Sequence, residues 1–194
     1  CINPACSCSP YYNGSSDPGS GGDPGNTNGG NNGSVSGGSG SSSGNSNSTN
    51  QRNATTINNA STITVSVIMS SDPDGKKPAR CNHGVQEAFK NIFGTIPTEL
   101  NCKANQMIQN LRNSSNWESV TMAQAQVYAS EGWFVIGGWE NSSGSGHVVV
   151  IVNGSTNGWP NCMDTGYGMR ESSQGLNYSF GRDKRNNVEY FKYK

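Results

Sequence analysis

The sequence predicts an α+β domain in which helices come first and an antiparallel sheet follows, all on the C-terminal side of a long polar tether. Three observations carry this reading. Apolar residues recur at helical spacing after Cys81 and again after Lys103. Past Gly132 the pattern changes to short strand-like runs separated by polar turns. One of these runs, His147 to Val152, is apolar at every position after its histidine. That is the pattern of a central strand covered on both faces.

The tether precedes the domain. From Asn13 to Asn53 the only apolar side chain other than proline is Val35, and Gly, Ser and Asn make up most of the rest. Such a stretch buries too little surface to offset the entropy of ordering it. Its charges, Asp17, Asp23 and Arg52, are too few to extend it by repulsion. It is expected to be a disordered coil with an r.m.s. span of roughly 35 Å. The expected organisation is therefore a cysteine-containing segment over 1–12, a linker over 13–56 and one domain over 57–194.

Within the domain, Ile63, Val65, Val67 and Met69 alternate through a β-rich run that reads as a first or edge strand, ended by the turn residues of 71–75. A helix follows from Cys81, with Val85, Ala88, Phe89 and Ile92 on one face and Gly94 as its stop. A second is expected over Lys103–Asn113, carrying Ala104, Met107, Ile108 and Leu111. Thr121 is placed to cap a third, with Ala125, Tyr128 and Ala129, ending at Gly132. Trp133–Trp139 and His147–Val152 then read as a hairpin around Glu140–Gly146. Further strands are expected around Cys162–Thr165, Leu176–Phe180 and Val188–Tyr193.

The formal net charge is zero and the pI about 6.9, so no electrostatic footprint for nucleic acid or anionic lipid is present. No run approaches the ~18 apolar residues of a membrane span. Cys1 followed by a polar tether has the form of a lipoprotein after signal-peptide cleavage, in which an acylated cysteine is the membrane link. The alternative is that the chain is a fragment and Cys1 merely its first residue. If Cys1 is acylated and Cys81 catalytic, Cys6, Cys8, Cys102 and Cys162 remain, an even number compatible with disulfides. Metal binding by Cys1, Cys6 and Cys8 is disfavoured, because no second pair and no histidine lie nearby.

Chemistry concentrates at two residues. Cys81 stands where a helix begins, and a helix N-terminus favours the thiolate. His147 stands where a buried strand begins, so rigid backbone holds an imidazole able to take and return a proton. Either alone reads as a buried thiol or a hydrogen-bonded histidine; together they suggest a cysteine nucleophile and its base. His83 is a poorer partner, since two residues along a helix is about 200° round the axis.

Arg80-Cys81-Asn82 through Phe89 and the run Gly146-His147-Val148-Val149-Val150-Ile151-Val152 together resemble the nucleophile helix and the histidine strand of the NlpC/P60 and CHAP group of papain-fold amidases. The resemblance spans about Arg80 to Tyr193; Gly84 departs from the bulkier pattern usual after the cysteine. It implies a papain-like fold and cleavage of amide bonds in peptidoglycan, within the stem peptide or at the glycan–peptide junction, with no metal or organic cofactor. It also implies a third polar residue on the strand after the histidine strand. Asp164 and Asn161 are the candidates there. Asp164 is favoured because a carboxylate also stabilises the imidazolium, with a plain turn role before Thr165-Gly166 as its alternative. The Cys81 backbone N–H is the expected oxyanion donor. Asn82, Trp139 and Asn161 are the residues expected to contact substrate, and Trp133, Trp159 and Tyr167 could line the cleft; for Trp133 and Trp139, on strands, core packing is the favoured alternative.

The expected function is thus a monomeric, exported bacterial cysteine hydrolase acting on peptidoglycan in the periplasm, at the outer membrane or at the cell surface. Its only membrane link would be an acylated Cys1, and an immunity protein would be its partner if it is a delivered toxin. Two alternatives stand beside it: a non-catalytic ligand-binding domain on a lipoprotein stalk, and an acyltransferase using the same dyad.

Overall fold

The run expected as a first strand is a helix. α1 spans Ala54–Ser71 and buries Ile57, Ala60, Ser61, Thr64, Val65 and Ile68, steps of three and four that mark one helical face. Ile63 and Val67, which complete the apparent alternation, are 54% and 57% exposed. The β-branched composition is overridden by packing, which supplies most helical stability in a folded chain. Asn53 starts the helix, its Oδ1 accepting from the backbone N–H of Thr55 at 2.7 Å and of Thr56 at 3.3 Å.

The computed structural model describes residues 50–71 and 80–194. The cysteine-containing segment 1–12 with Cys1, Cys6 and Cys8, the linker through residue 49, and the turn expected over 72–75 lie outside the described residues. The end of the expected linker belongs to the folded body. The Arg52 N–H donates to the Gly132 carbonyl at 2.8 Å, Gln51 Nε2 donates to the Glu131 carbonyl at 3.1 Å, and Asn50 Nδ2 donates to the Lys194 carbonyl. The Arg52 guanidinium also lies 4.9 Å from the centroid of the Phe93 ring. The domain therefore reaches back to Asn50 rather than starting at Ile57.

The three helices expected next are present as α2 (Cys81–Phe93), α3 (Ala104–Asn113) and, after the short strand β1 (Trp117–Val120), α4 (Met122–Ser130). Gly94 takes the left-handed conformation and its N–H closes α2 on Lys90. Thr121 and Gln124 form a reciprocal capping box at the start of α4. The hairpin follows as β2 (Val135–Trp139) and β3 (His147–Thr156), then β4 (Trp159–Asp164). The strand expected over Leu176–Phe180 is displaced. The strand there is β5 (Glu171–Gly175), a polar edge strand paired on one side only, and Leu176–Ser179 is the single helical turn α5. Leu176 and Phe180, four residues apart, are both buried, so their spacing is helical. A second short turn, α6 (Arg182–Arg185), leads into the last strand β6 (Glu189–Tyr193).

The six strands form one antiparallel sheet in the order β1-β6-β2-β3-β4-β5. β3 is central and both its faces are covered. Val148, Val150 and Val152 join Val65, Val85, Phe89, Ile108 and Met163 in a core built with α1, α2 and α3. Val149 and Ile151 join Ala125, Ala129, Cys162, Leu176 and Phe180 in a second core built with α4 and α5. The alternation along β3 thus divides one apolar run between two cores.

A chain starting at Ile57 lacks the Asn53 cap and the Arg52–Gly132 bond, and one starting at Asn50 keeps them. We expect the shorter chain to be less stable by about 2–3 kcal/mol. Thermal unfolding followed by circular dichroism should show it melting roughly 5–10 °C lower.

Candidate active site

The site is built where α2 begins and β4 ends. Arg80, immediately before α2, is bound twice to Thr165, the residue after β4. Its N–H donates to the Thr165 carbonyl at 3.2 Å, and Thr165 Oγ1 donates to its carbonyl at 3.0 Å. The first helical hydrogen bond, Gly84 N–H to the Arg80 carbonyl at 2.9 Å, starts from the same residue. Gly84 makes this approach feasible: a Cβ there would lie 2.1 Å from Thr165 Oγ1 and 3.0 Å from Thr165 Cβ. The glycine that interrupts the usual pattern after the cysteine is what lets the helix seat against the strand. The N–H groups of the first turn, Cys81 among them, point out of the helix start, where the dipole favours negative charge.

Asp164, the neighbour of Thr165, is wholly buried. Its Oδ1 accepts the Gly166 N–H at 2.7 Å and its Oδ2 lies 3.1 Å from His147 Nε2. The turn role and the histidine-partner role anticipated for Asp164 are thus filled at once, by its two oxygens. Burial works against its ionisation, but the charge of His147 and hydrogen bonds from His147, the Gly166 N–H and Ser179 outweigh this and hold the carboxyl below its ordinary range. A carboxylate only accepts, so His147 Nε2 is the nitrogen that carries a proton toward Asp164, in the charged ring and the neutral one alike. The ring lies over Gly166, where a Cβ would come within 2.9 Å of His147 Cε1, and packs edge-on against Phe180 with centroids 5.0 Å apart. Only 14% of the His147 side chain is exposed.

Cys81 is 2% exposed and belongs to the core cluster that also holds Val85, Val148 and Met163. The His147 ring instead contacts Phe180, a member of the other core. Thr165 fastens the helix that carries Cys81, and Asp164, the residue before it, fastens His147. His147 is the first residue of β3, and Gly166 lies past the end of β4, so the imidazole sits at the end of the sheet.

The other candidate residues fare differently. Asn82 is buried and its Nδ2 donates to the Cys102 carbonyl at 3.0 Å, tying α2 to the loop before α3. Trp139 pairs with His147 in register, and Lys184 Nζ lies 4.6 Å from its ring centroid. Asn161 pairs with Val152, five residues along β3 from His147 and so roughly 16 Å away. Its side chain accepts from Thr156 and donates to Ser173, so it braces strands and is not part of the His147 corner. His83 is exposed on α2. Lys192 covers the Trp133 ring at 4.4 Å and Arg185 the Trp159 ring at 5.0 Å, which occupies faces a sugar would stack on. Tyr167 is exposed, beside the His147 corner in sequence. Cys102 and Cys162 are thiols and are not joined to each other, so no disulfide pairs them.

Several contributors had no motif to announce them. Asn105 of α3 clamps the β2–β3 turn, its Nδ2 donating to the carbonyls of Asn141 and Gly144 at 2.8 Å each and its Oδ1 accepting the Asn141 N–H at 3.0 Å. Arg112 bridges Glu140 and Glu189 at 2.5 Å each, joining that turn to β6. Arg170 NH1 donates to the carbonyls of Thr165, Gly166 and Met169, holding the segment under the imidazole. The sequence Asp164-Thr165-Gly166 was the available signal, as an Asx-type turn at a strand end. Among the described residues no group of three or more His, Cys, Asp or Glu is placed to hold a metal ion, and no helix is long and apolar enough to cross a membrane. No protein-family model matches the chain, and no curated protein matches it either.

Gly84→Ala should destabilise the fold by about 1–3 kcal/mol, the usual penalty of overpacking, and Thr165→Ala in the same chain should recover part of the loss. Urea unfolding of the single and double variants measures both. Asp164 has a depressed folded pKa, so its stabilisation is present above the unfolded value near 4 and is lost as pH falls through the lower folded value. Asp164→Asn should flatten that acid limb of stability.

Proposed function

We propose that this chain is a cysteine hydrolase of papain-like fold that cleaves amide bonds of bacterial peptidoglycan. The observation that supports it best is the pairing of His147 with a wholly buried Asp164 carboxylate, next to the residue that anchors the Cys81 helix. A buried charge costs several kcal/mol of desolvation before its partners offset it. Perturbed carboxylates beside an imidazole are concentrated at reactive sites.

In this reading the Cys81 thiol gives its proton to His147 Nδ1, and Asp164 holds the resulting imidazolium through Nε2. The thiolate attacks the carbonyl carbon of the amide. The oxyanion that forms accepts from the Cys81 N–H at the helix start. The imidazolium then protonates the departing amine, leaving a thioester on Cys81. Water, deprotonated by the same Nδ1, attacks the thioester, releases the carboxylic acid and restores the thiol. The substrate class comes from the resemblance of the two motif segments to peptidoglycan amidases, and with it an exported location. Tyr167, exposed and next to Gly166 in sequence, is the aromatic residue we assign to substrate contact; Lys184 covers the Trp139 ring as Lys192 and Arg185 cover Trp133 and Trp159.

A second reading is favoured by one observation, the near-complete burial of Cys81 among Val85, Val148 and Met163. On that view Cys81 is a core thiol and the domain binds without reacting.

Digestion of purified peptidoglycan, followed by mass spectrometry of released fragments, separates the two. The hydrolase reading requires new amine and carboxyl ends with the wild type and none with Cys81→Ala. Asp164→Asn should lower kcat by about 10²–10⁴-fold through the wrong imidazole tautomer, while His83→Ala should stay within about twofold. Equal digestion by wild type and Cys81→Ala, or none by either, removes the hydrolase reading.

A further inference from the structure

We propose that the cavity where the first turn of α4 and the end of α6 meet β6 binds a carboxylate carried on an apolar body. Arg185 and Tyr190 are the residues that hold the carboxylate. The cavity has a volume of about 430 Å³, within the roughly 300–1,000 Å³ of small-molecule sites. Val120, Met122, Trp159 and Val188 give it an apolar wall. Val120, Trp159, Val188 and Tyr190 pack in the core on the α4 face of the sheet, whereas Cys81 belongs to the core on the other face. The site is therefore separate from the Cys81 helix and independent of the hydrolase reading.

Two residues of this lining carry a buried donor with nothing to donate to. The Tyr190 hydroxyl and Arg185 Nε are both shut from solvent, and neither has a hydrogen-bond partner among the described residues. Tyr190 as a whole is only 5% exposed. Buried polar groups in folded proteins are nearly always paired, and an unpaired one costs the full desolvation of the group. Two of them on one cavity call for an acceptor that these residues do not find within the chain. Arginine Nε can only donate. Burial, and then the nearby Cys162 thiol, pushes the Tyr190 phenol up, so it keeps its proton and is a donor as well.

Charge selects the acceptor. The Arg185 guanidinium carbon lies 5.0 Å from the Trp159 ring centroid, an arrangement that steadies the plane of its donors. Among the described residues no carboxylate is paired with it. Glu189 is the acidic residue of the lining, and Arg112 already holds both its oxygens, at 2.8 and 2.5 Å. Thr121 and Met122 bring in the start of α4, where the helix dipole also favours negative charge. One guanidinium and one phenol suit a single carboxylate, paired with Arg185 and accepting from Tyr190. A phosphate would carry a second charge for which the lining has no second cation. The apolar wall suits an aliphatic or aromatic body behind the carboxylate.

The test titrates the full chain with phenylpropionate, and with phenylpropionamide as its uncharged counterpart. Amide NMR follows binding and confirms that each variant is folded. The acid should give saturable shifts at residues 119–122 and at Val188, with the amide at least about tenfold weaker, the size of a lost charge-assisted hydrogen bond. Arg185→Gln should weaken the acid by a similar factor. Tyr190→Phe, which removes one neutral donor and no packing, should weaken it by about three- to tenfold. Lys184→Gln removes a neighbouring cation outside the cavity and should leave affinity within about twofold. N-acetyl-Ala-Ala-Phe, against the same peptide amidated, distinguishes the source. Tighter binding of the free peptide assigns the site to a peptide C-terminus, binding of phenylpropionate alone assigns it to a small acid, and either upholds the carboxylate site. No saturable shift with either acid overturns the proposal. So does equal affinity for acid and amide, binding unchanged in Arg185→Gln or Tyr190→Phe, or a loss in Lys184→Gln as large as in Arg185→Gln.

Discussion

The contact on which the site depends is the seating of the first turn of α2 against the end of β4. Two hydrogen bonds between Arg80 and Thr165 make it, at 3.2 and 3.0 Å, and the missing side chain of Gly84 permits it. Each partner carries chemistry one residue further on. Beyond Arg80 the helix begins with Cys81; before Thr165 stands Asp164, holding His147. The position of Cys81 is thus set by sheet-to-helix packing, a rigid support suited to reactive geometry.

The buried carboxylate is the second constraint. Fully desolvated, Asp164 keeps its charge only because every neighbour contributes: the imidazole, the Gly166 N–H and the Ser179 hydroxyl. Removing one partner from such a group costs far more than a surface interaction, since the remaining charge stays buried. Packing supports the arrangement from outside. Asn105 and Arg112 tie down the turn that delivers His147, and Phe180 backs its ring. The imidazole is held on several sides, with Nε2 committed to Asp164.

Much of this was readable where periodicity was strong and turn chemistry unambiguous. The start of α2 at Cys81, its stop at Gly94, the Thr121 cap and the double-sided burial of β3 follow directly from residue pattern. α1 did not, because alternating Ile63, Val65 and Val67 imitate a strand. The competing pattern of Ile57, Ala60, Ser61, Thr64, Val65 and Ile68 was equally present, but two of its members are hydroxyl residues and hid the buried face. β5 is polar and lies at the sheet edge, so apolar periodicity could not reveal it, and Leu176 with Phe180 drew the strand assignment to a helical turn. The paired His147 and Asp164, and Cys81 as the first residue of α2, were legible from their element boundaries. Asn161 was not separable from Asp164 by sequence alone; register decides, placing it opposite Val152. Asn105 and Arg112 act through long-range contacts that no local pattern encodes.

The central claim is that Cys81, though nearly buried, is a reactive thiol activated by the helix start and His147. Iodoacetamide labelling of the native chain at pH 6–7, mapped by peptide mass, tests it against Cys102, an ordinary half-buried thiol whose pKa burial raises. Activated cysteines have pKa values of about 3.5–7.5, below the model value near 8.5. The account predicts that Cys81 is modified well before Cys102 and that His147→Ala slows its labelling. Labelling of Cys102 first, with Cys81 modified only on unfolding, would make Cys81 a core thiol and contradict the account.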